Sequence, residues 1–324
     1  MKMLFRALCC ALSFAAFGQA GAQAWPAKPV KIIVSTGPGL ATDIIARLLS
    51  DRLSRALGQQ FVVENVAGAG GAIGAQAAAR AAPDGYTLLF TGGGALVTNI
   101  FAFKSLPYDP ARDFVPVAMV TESGGFVVSV NPGLHANTLA ELIAVAKSRP
   151  GKLSYAVDSS NIYTAIVGRM LNKLAAIDLV EIPYKSTPQA IQDTVAGRTQ
   201  LIVSAAASID SFVKSGKLLR LAVSSSKRLP GAPDLPTMAE TIPGFRIDGG
   251  GFAVVAPAGT PSEIVQRLNR AIGVLGREQD FEKQMLSLGQ IPASPASPDA
   301  TAEYLRSERE RWGRIFRELD IQPQ

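Results

Sequence analysis

Hydrophobic residues along this chain fall into two alternating textures: short β-branched runs, and longer stretches with apolar positions three and four apart. The first pair is the clearest. Val30, Ile32, Ile33 and Val34 read as a buried strand, while Ile44, Ile45, Leu48, Leu49, Leu53 and Leu57 recur at helical spacing and end at Gly58. Between them, Ser35-Thr36-Gly37-Pro38-Gly39 belongs to neither pattern, because glycine frees the backbone and proline fixes one φ. Thr42-Asp43 reads as the N-cap of the helix. Strand, small-residue loop and helix N-terminus in succession bring free backbone N–H groups and the positive helix end to one corner, which suits an anion or carboxylate. Every α/β protein has such junctions, so this corner alone does not separate binding from plain connectivity.

The texture repeats. Residues 61–65 form a second strand, the glycine-rich turn 68–74 enters an Ala-rich helix, and strand 86–90 ends in Thr91-Gly92-Gly93-Gly94. Apolar strands 115–120 and 126–130 flank a first crossing between lobes. Strand–helix alternation then runs to strand 219–223. The glycine-rich stretch 248–251 marks a return crossing, followed by strand 252–256, an amphipathic helix to 275, a short helix and a last helix over 299–319. The pattern predicts an α/β fold with mostly parallel sheets in two lobes, residues 25–122 with 251–324, and residues 123–250. Strand ends at Thr36, Thr91, Ser159 and Ser204 carry small hydroxylic residues and come from both segments. Two facing lobes would gather them in one cleft.

The N-terminus changes the working length. Lys2 and Arg6 precede a short apolar run and Ala22-Gln23-Ala24, the pattern of a secretory signal peptide cleaved after Ala24, which places the product in the periplasm. The residues before Cys9 and Cys10 do not form a lipobox. Both cysteines leave with the signal, so Cys-based metal sites and nucleophiles are excluded from the remainder. Lys2 and Arg6 leave too, so 30 of the 32 basic residues face 26 acidic ones, a net +4. The bases are scattered, which argues against nucleic acid and for a mild pull on anionic solutes.

Several runs stand together in a recognisable order: Trp25-Pro-x-Lys-Pro-Val, Val62-Val-Glu-Asn65, Gly68-Ala-Gly-Gly, Pro83-Asp-Gly-Tyr-Thr-Leu-Leu89, Pro183-Tyr-Lys185, Leu235-Pro-Thr237 and Ala256-Pro-Ala-Gly-Thr-Pro261. Across essentially the whole mature chain, the sequence resembles the Bug family, periplasmic solute-binding receptors of tripartite tricarboxylate transporters. The resemblance implies a two-lobed periplasmic-binding-protein fold, type II-like. It also implies a small carboxylate held by backbone N–H groups, hydroxyls and ordered water. The ligand loops depart from the family pattern. Ser35-Thr-Gly-Pro-Gly-Leu40 replaces Pro-Phe-Pro-Pro-Gly-Gly, Ala165 stands where His is common, and Ser186 follows Pro-Tyr-Lys in place of Gly.

Other signals have plainer readings. Gly68-x-Gly70-x-x-x-Gly74 resembles a nucleotide fingerprint, but close helix packing needs the same glycines, and no cofactor is expected. His135, the only histidine, lies in a loop without the context of a catalytic triad and is read as surface. Asp43 is a cap before it is a ligand contact, Arg47 a surface pair, and Lys185 the better counter-ion. Trp25 and Trp312 are read as packing residues, and the last helix as docked on its own lobe. The expected shell is Ser35, Thr36, Gly37, Gly39, Thr91, Gly92, Ser159, Ser160, Asn161, Thr164, Lys185 and Ser204. The expected protein is a monomeric, non-enzymatic solute receptor, with membrane subunits or a sensor as partners. A neutral amide or aromatic solute, an exported enzyme on the same scaffold, and an interaction protein that binds no solute are the alternatives.

Overall fold

The computed structural model describes residues 25–122, 124–158, 162–288 and 290–323. The expected signal segment, its cleavage site, and Ser159, Ser160 and Asn161 lie outside the described residues. In chain order the elements are β1 (Val30–Val34), α1 (Ala41–Leu57), β2 (Phe61–Asn65), α2 (Ala72–Ala79), β3 (Thr87–Gly92), a π turn (Gly94–Thr98), α3 (Asn99–Ala102), β4 (Phe114–Met119), β5 (Thr121–Glu122) and β6 (Val127–Val130). There follow α4 (Leu139–Ser148), β7 (Leu153–Asp158), α5 (Ile162–Ala175), β8 (Leu179–Tyr184), α6 (Thr187–Val195), β9 (Leu201–Ser204), α7 (Ala206–Lys214) and β10 (Leu219–Val223). The chain ends with α8 (Met238–Thr241), β11 (Phe252–Pro257), α9 (Ser262–Leu275), α10 (Gln279–Ser287), β12 (Ile291–Pro292) and α11 (Pro298–Glu318).

Among the described residues two five-stranded sheets form, one in each lobe, in the orders β2-β1-β3-β11-β4 and β10-β6-β9-β7-β8, and β5 pairs antiparallel with β12 in a two-stranded sheet. The five-stranded sheets are mostly parallel, as expected, and mixed: in each, four of the five strands run one way and one runs against them. In the first, β1 pairs parallel with β2 and β3, whereas β11 runs antiparallel to β3 and β4. In the second, β7 is parallel to β8 and β9, whereas β6 is antiparallel to β9 and β10. The reason lies in the crossings. A strand entered from the other lobe starts at the shared edge, while the remaining strands finish there. β6 and β11 are the strands entered from a crossing, and each runs against both of its neighbours. The two crossings lie against each other. Phe252 N–H donates to Thr121 Oγ1 at 2.9 Å, and a Cβ on Gly251 would stand 1.9 Å from the Thr121 carbonyl oxygen.

Each five-stranded sheet buries a helical stripe. Ile45, Ala46, Leu49 and Leu53 of α1 are fully buried against the first sheet, as their spacing predicts. A leucine buried in this way contributes about 1.5–3 kcal/mol. Trp25 packs on Phe61 and Tyr86, and His135 is exposed, in the surface position expected of it. On α11, Leu305, Trp312, Ile315 and Phe316 are buried, and Phe316 meets Phe101 of the first lobe at 5.5 Å. The helix is not confined to its own lobe, however. Trp312 meets Tyr163 of α5 edge-on at 4.7 Å, Lys173 Nζ donates to the Glu318 carbonyl at 2.7 Å, and Arg311 Nη1 donates to the Arg246 carbonyl at 3.4 Å.

Candidate functional site

The register brings the chosen strand ends to two edges. Val34 lies opposite Asn65 and Phe90, so the residues that follow β1 and β3 are neighbours. Ser35 and Thr91 share a hydrogen bond of 2.5 Å between their hydroxyls, and both are buried. The glycine run 68–74 packs directly behind them: a Cβ on Gly74 would stand 2.6 Å from the Val66 carbonyl and 3.0 Å from Ser35 Cα. Close packing is therefore the role these glycines show.

The helix start differs from expectation. Leu40, not Thr42-Asp43, occupies the N-cap position of α1, and it supplies no side-chain cap bond. Asp43 sits within the first turn and reaches back, its Oδ2 accepting from Gly39 N–H at 2.9 Å. Asn65 Nδ2 donates to Asp43 Oδ1 at 2.9 Å and to the Thr36 carbonyl at 3.1 Å, and Arg47 Nη2 stands 3.0 Å from Asp43 Oδ1. A backbone donor counted towards the ligand shell, the Gly39 N–H, is thus engaged within the corner. Arg47 neutralises the carboxylate that would otherwise repel an anion nearby. Burial pushes the Asp43 carboxyl up, but Arg47, the Gly39 N–H and Asn65 outweigh it and hold the group below the usual carboxylate range. A lowered pKa stabilises the fold above the unfolded value, about pH 3.9, and the stabilisation is lost as pH falls through the folded value. Asp43→Asn is therefore expected to lower the melting temperature near neutrality and to flatten its decline on acidification. Circular dichroism melts near neutrality and at about pH 3 check both.

In the second lobe, β7, β8 and β9 run parallel, so Tyr184 lies level with Asp158 and both edges end beside Ser204. Lys185 follows β8 at this edge; it is exposed and has no carboxylate partner among the described residues. Thr164, in the first turn of α5, is 2% exposed. Three hydroxyls are buried with no hydrogen-bond partner among the described residues: Ser129 Oγ, within β6, and two at strand ends, Thr36 Oγ1 in the first lobe and Ser204 Oγ in the second. Gly37 and Gly92 are half-buried and Gly39 is exposed.

The lobes meet at residues that the sequence reading did not select. A Cβ on Gly250 would fall 2.3 Å from Gly93 Cα, and one on Gly93 would fall 2.7 Å from Tyr163 Oη. Tyr163 stacks on Phe126 at 6.0 Å and lies within 3.5 Å of Thr98 Oγ1, which donates to its hydroxyl. The void beside this contact is only ≈ 10 Å³, at most the space of one water. Gly93 is two residues beyond Thr91, and Tyr163 adjoins Thr164, so the seam joins one chosen corner of each lobe. No hydrogen bond among the described residues links Ser204 or Lys185 to Ser35, Thr36 or Thr91. The runs Gly92-Gly93-Gly94 and Gly249-Gly250-Gly251 were the available signal, but their mutual contact is a tertiary fact. No group of three or more His, Cys, Asp or Glu is placed to hold a metal among the described residues.

Comparison with known proteins agrees with this architecture. The family described as the tripartite tricarboxylate transporter family receptor matches residues 45–321. BugT of Bordetella pertussis is 36% identical over 299 residues, covering 92% of this chain and 91% of that protein. An R. palustris protein solved with adipate superposes with a TM-score of 0.81 at 30% identity, covering 93% of this chain and all of that one (100%). MatC from Rhodopseudomonas palustris with bound malate superposes with a TM-score of 0.74 at 29% identity, covering 90% and 99%. The chain belongs to the tripartite tricarboxylate transporter receptor family, the solute-binding proteins among which the Bug receptors fall.

Proposed function

We propose that this protein is a periplasmic receptor that closes its lobes, residues 25–122 with 251–324 and residues 123–250, over a small carboxylate and presents it to the membrane subunits of a tripartite transporter or to a sensor. The observation that carries this reading is that two of the three buried, unpartnered hydroxyls among the described residues, Thr36 Oγ1 and Ser204 Oγ, stand at strand ends, one in each lobe. Leaving such a group unpaired costs about 1–3 kcal/mol. A carboxylate offers two acceptor oxygens and several lone pairs, so one solute can satisfy donors from both sides. Lys185 supplies a counter-charge at the second edge, and the Ser35–Thr91 pair retains one hydroxyl proton to offer. Ser35, Thr36, Gly37, Thr91, Gly92, Thr164, Lys185 and Ser204 form the core of the proposed shell, with Gly39 shaping its rim and residues 159–161 completing it. Relatives solved with adipate and malate, both dicarboxylates, point to the same chemistry.

A thermal-shift panel of mono-, di- and tricarboxylates, neutral amides and aromatic acids tests the reading on signal-free protein. A dicarboxylate at 100 times its Kd is expected to add about 2.7 kcal/mol. Stabilisation by a neutral amide with none from any carboxylate would overturn the assignment. Chemical conversion of the bound molecule would favour the exported-enzyme alternative.

A further inference from the structure

An open groove of ≈ 680 Å³ runs between α5 and α11, and its chemistry is unlike that of the strand-end corners. Arg246, Arg311, Arg314 and Arg317 line it, with Leu174 and Ile315. Two of the arginines are spoken for: Arg246 Nε pairs with Asp248 at 2.8 Å, and Arg311 forks onto Glu308, its Nε at 2.9 Å. Arg314 and Arg317 have no carboxylate partner among the described residues, and both are exposed. They stand three apart on α11, hence on neighbouring positions of one helix face. Glu318, also at the groove, is held by Lys173 at 3.6 Å. The groove therefore carries two uncompensated guanidinium groups beside a leucine, Leu174, that is 39% exposed.

We propose that this groove docks an acidic segment of a partner protein, with two carboxylates forked onto Arg314 and Arg317 and an apolar side chain seated on Leu174. Guanidinium groups recognise carboxylates through paired N–H donors, and their carbon stems tolerate apolar neighbours. The concave shape, with an apolar floor between charged walls, fits an inserted chain better than a flat anionic lipid surface. The walls belong to different lobes. α11 packs on the first lobe, α5 belongs to the second, and the Lys173–Glu318 and Arg311–Arg246 contacts cross between them. Any change in the angle between the lobes reshapes the groove, so a partner seated there binds one lobe arrangement better than another. By linkage, that preference couples partner binding to solute occupancy.

Fluorescence anisotropy on the full mature chain tests this, using a labelled peptide of repeating Glu-Glu-Leu and, separately, phosphatidylglycerol vesicles. The peptide is expected to bind wild-type protein and to lose at least about tenfold in affinity, or about 1.4 kcal/mol, in the Arg314→Glu/Arg317→Glu variant. The Arg314→Lys/Arg317→Lys variant is expected to retain part of the binding, because charge persists while the fork is lost. Both variants change exposed residues, and unaltered melting temperatures will confirm that they fold. Absence of peptide binding, equal binding to the charge-reversed variant, or charge-dependent binding to vesicles alone would each overturn the proposal.

Discussion

Replacing Gly250 by valine is expected to weaken solute binding by about 5- to 150-fold while leaving both sheets folded. Gly250 and Gly93 touch backbone to backbone across the lobe seam. A Cβ on Gly250 would sit 2.3 Å from Gly93 Cα and 2.7 Å from its nitrogen, neither of which can rotate away. Tyr163 Oη, 3.2 Å from the same point, closes the remaining side. Relief requires the lobes to stand further apart, and such overpacking costs about 1–3 kcal/mol, which fixes the fold-change quoted. The cost falls on the approach of the lobes, because the contact lies against the apolar cluster that joins them through Leu96, Tyr163 and Trp312. Gly93→Val is expected to act alike, and the double variant less than additively, since one contact is lost either way. Calorimetric titration with the solute found by the panel, together with a larger radius of gyration by small-angle scattering, checks the effect. Unchanged affinity and unchanged dimensions would show that this contact does not limit closure.

Trp312→Ala is expected to cost about 3–5 kcal/mol of stability, a fall in melting temperature on the order of 10 °C. Trp312 is fully buried on α11, edge-on to Tyr163, with the Arg311 guanidinium 5.2 Å from its ring. Its removal opens a cavity where the last helix meets both lobes, so the loss combines transfer and cavity contributions. Its Nε1 has no hydrogen-bond partner among the described residues. Trp312→Phe keeps an aromatic ring and removes that unpaired donor, so it should cost much less than alanine. A scanning-calorimetry ranking of wild type, then Phe, then Ala, with Phe near wild type, is expected. An alanine variant melting like wild type would mean that α11 does not tie the lobes together.

Much of the scaffold was legible from periodicity. The 3.6-residue recurrence of Ile45, Leu49 and Leu53 and the compact run at β1 come from burial on one face and on both faces respectively, and burial leaves its mark on composition. Strand direction leaves no such mark. β6 and β11 look like any other apolar run, and only the path of the chain through the crossings makes them antiparallel. The helix start was misread because Asp43 has the composition of a cap but works from inside the first turn, reaching back to Gly39. The hydroxylic strand ends were visible as residue types, and the Ser35–Thr91 bond joins two of them. Tyr163 was passed over because an aromatic at helical spacing reads as core, and its second face towards Gly93 and Trp312 is set by residues far away in sequence.

Titration calorimetry of Thr36→Ala and Ser204→Ala with a dicarboxylate identified by thermal shift puts the convergence of the two lobes to a direct trial. Each substitution is expected to reduce affinity by about 10- to 150-fold, the worth of a hydrogen bond to a charged group. The melting temperature of the solute-free variants should stay the same or rise, because an unpaired buried hydroxyl has been removed. Full affinity in either variant would contradict a shared carboxylate site built from both lobes.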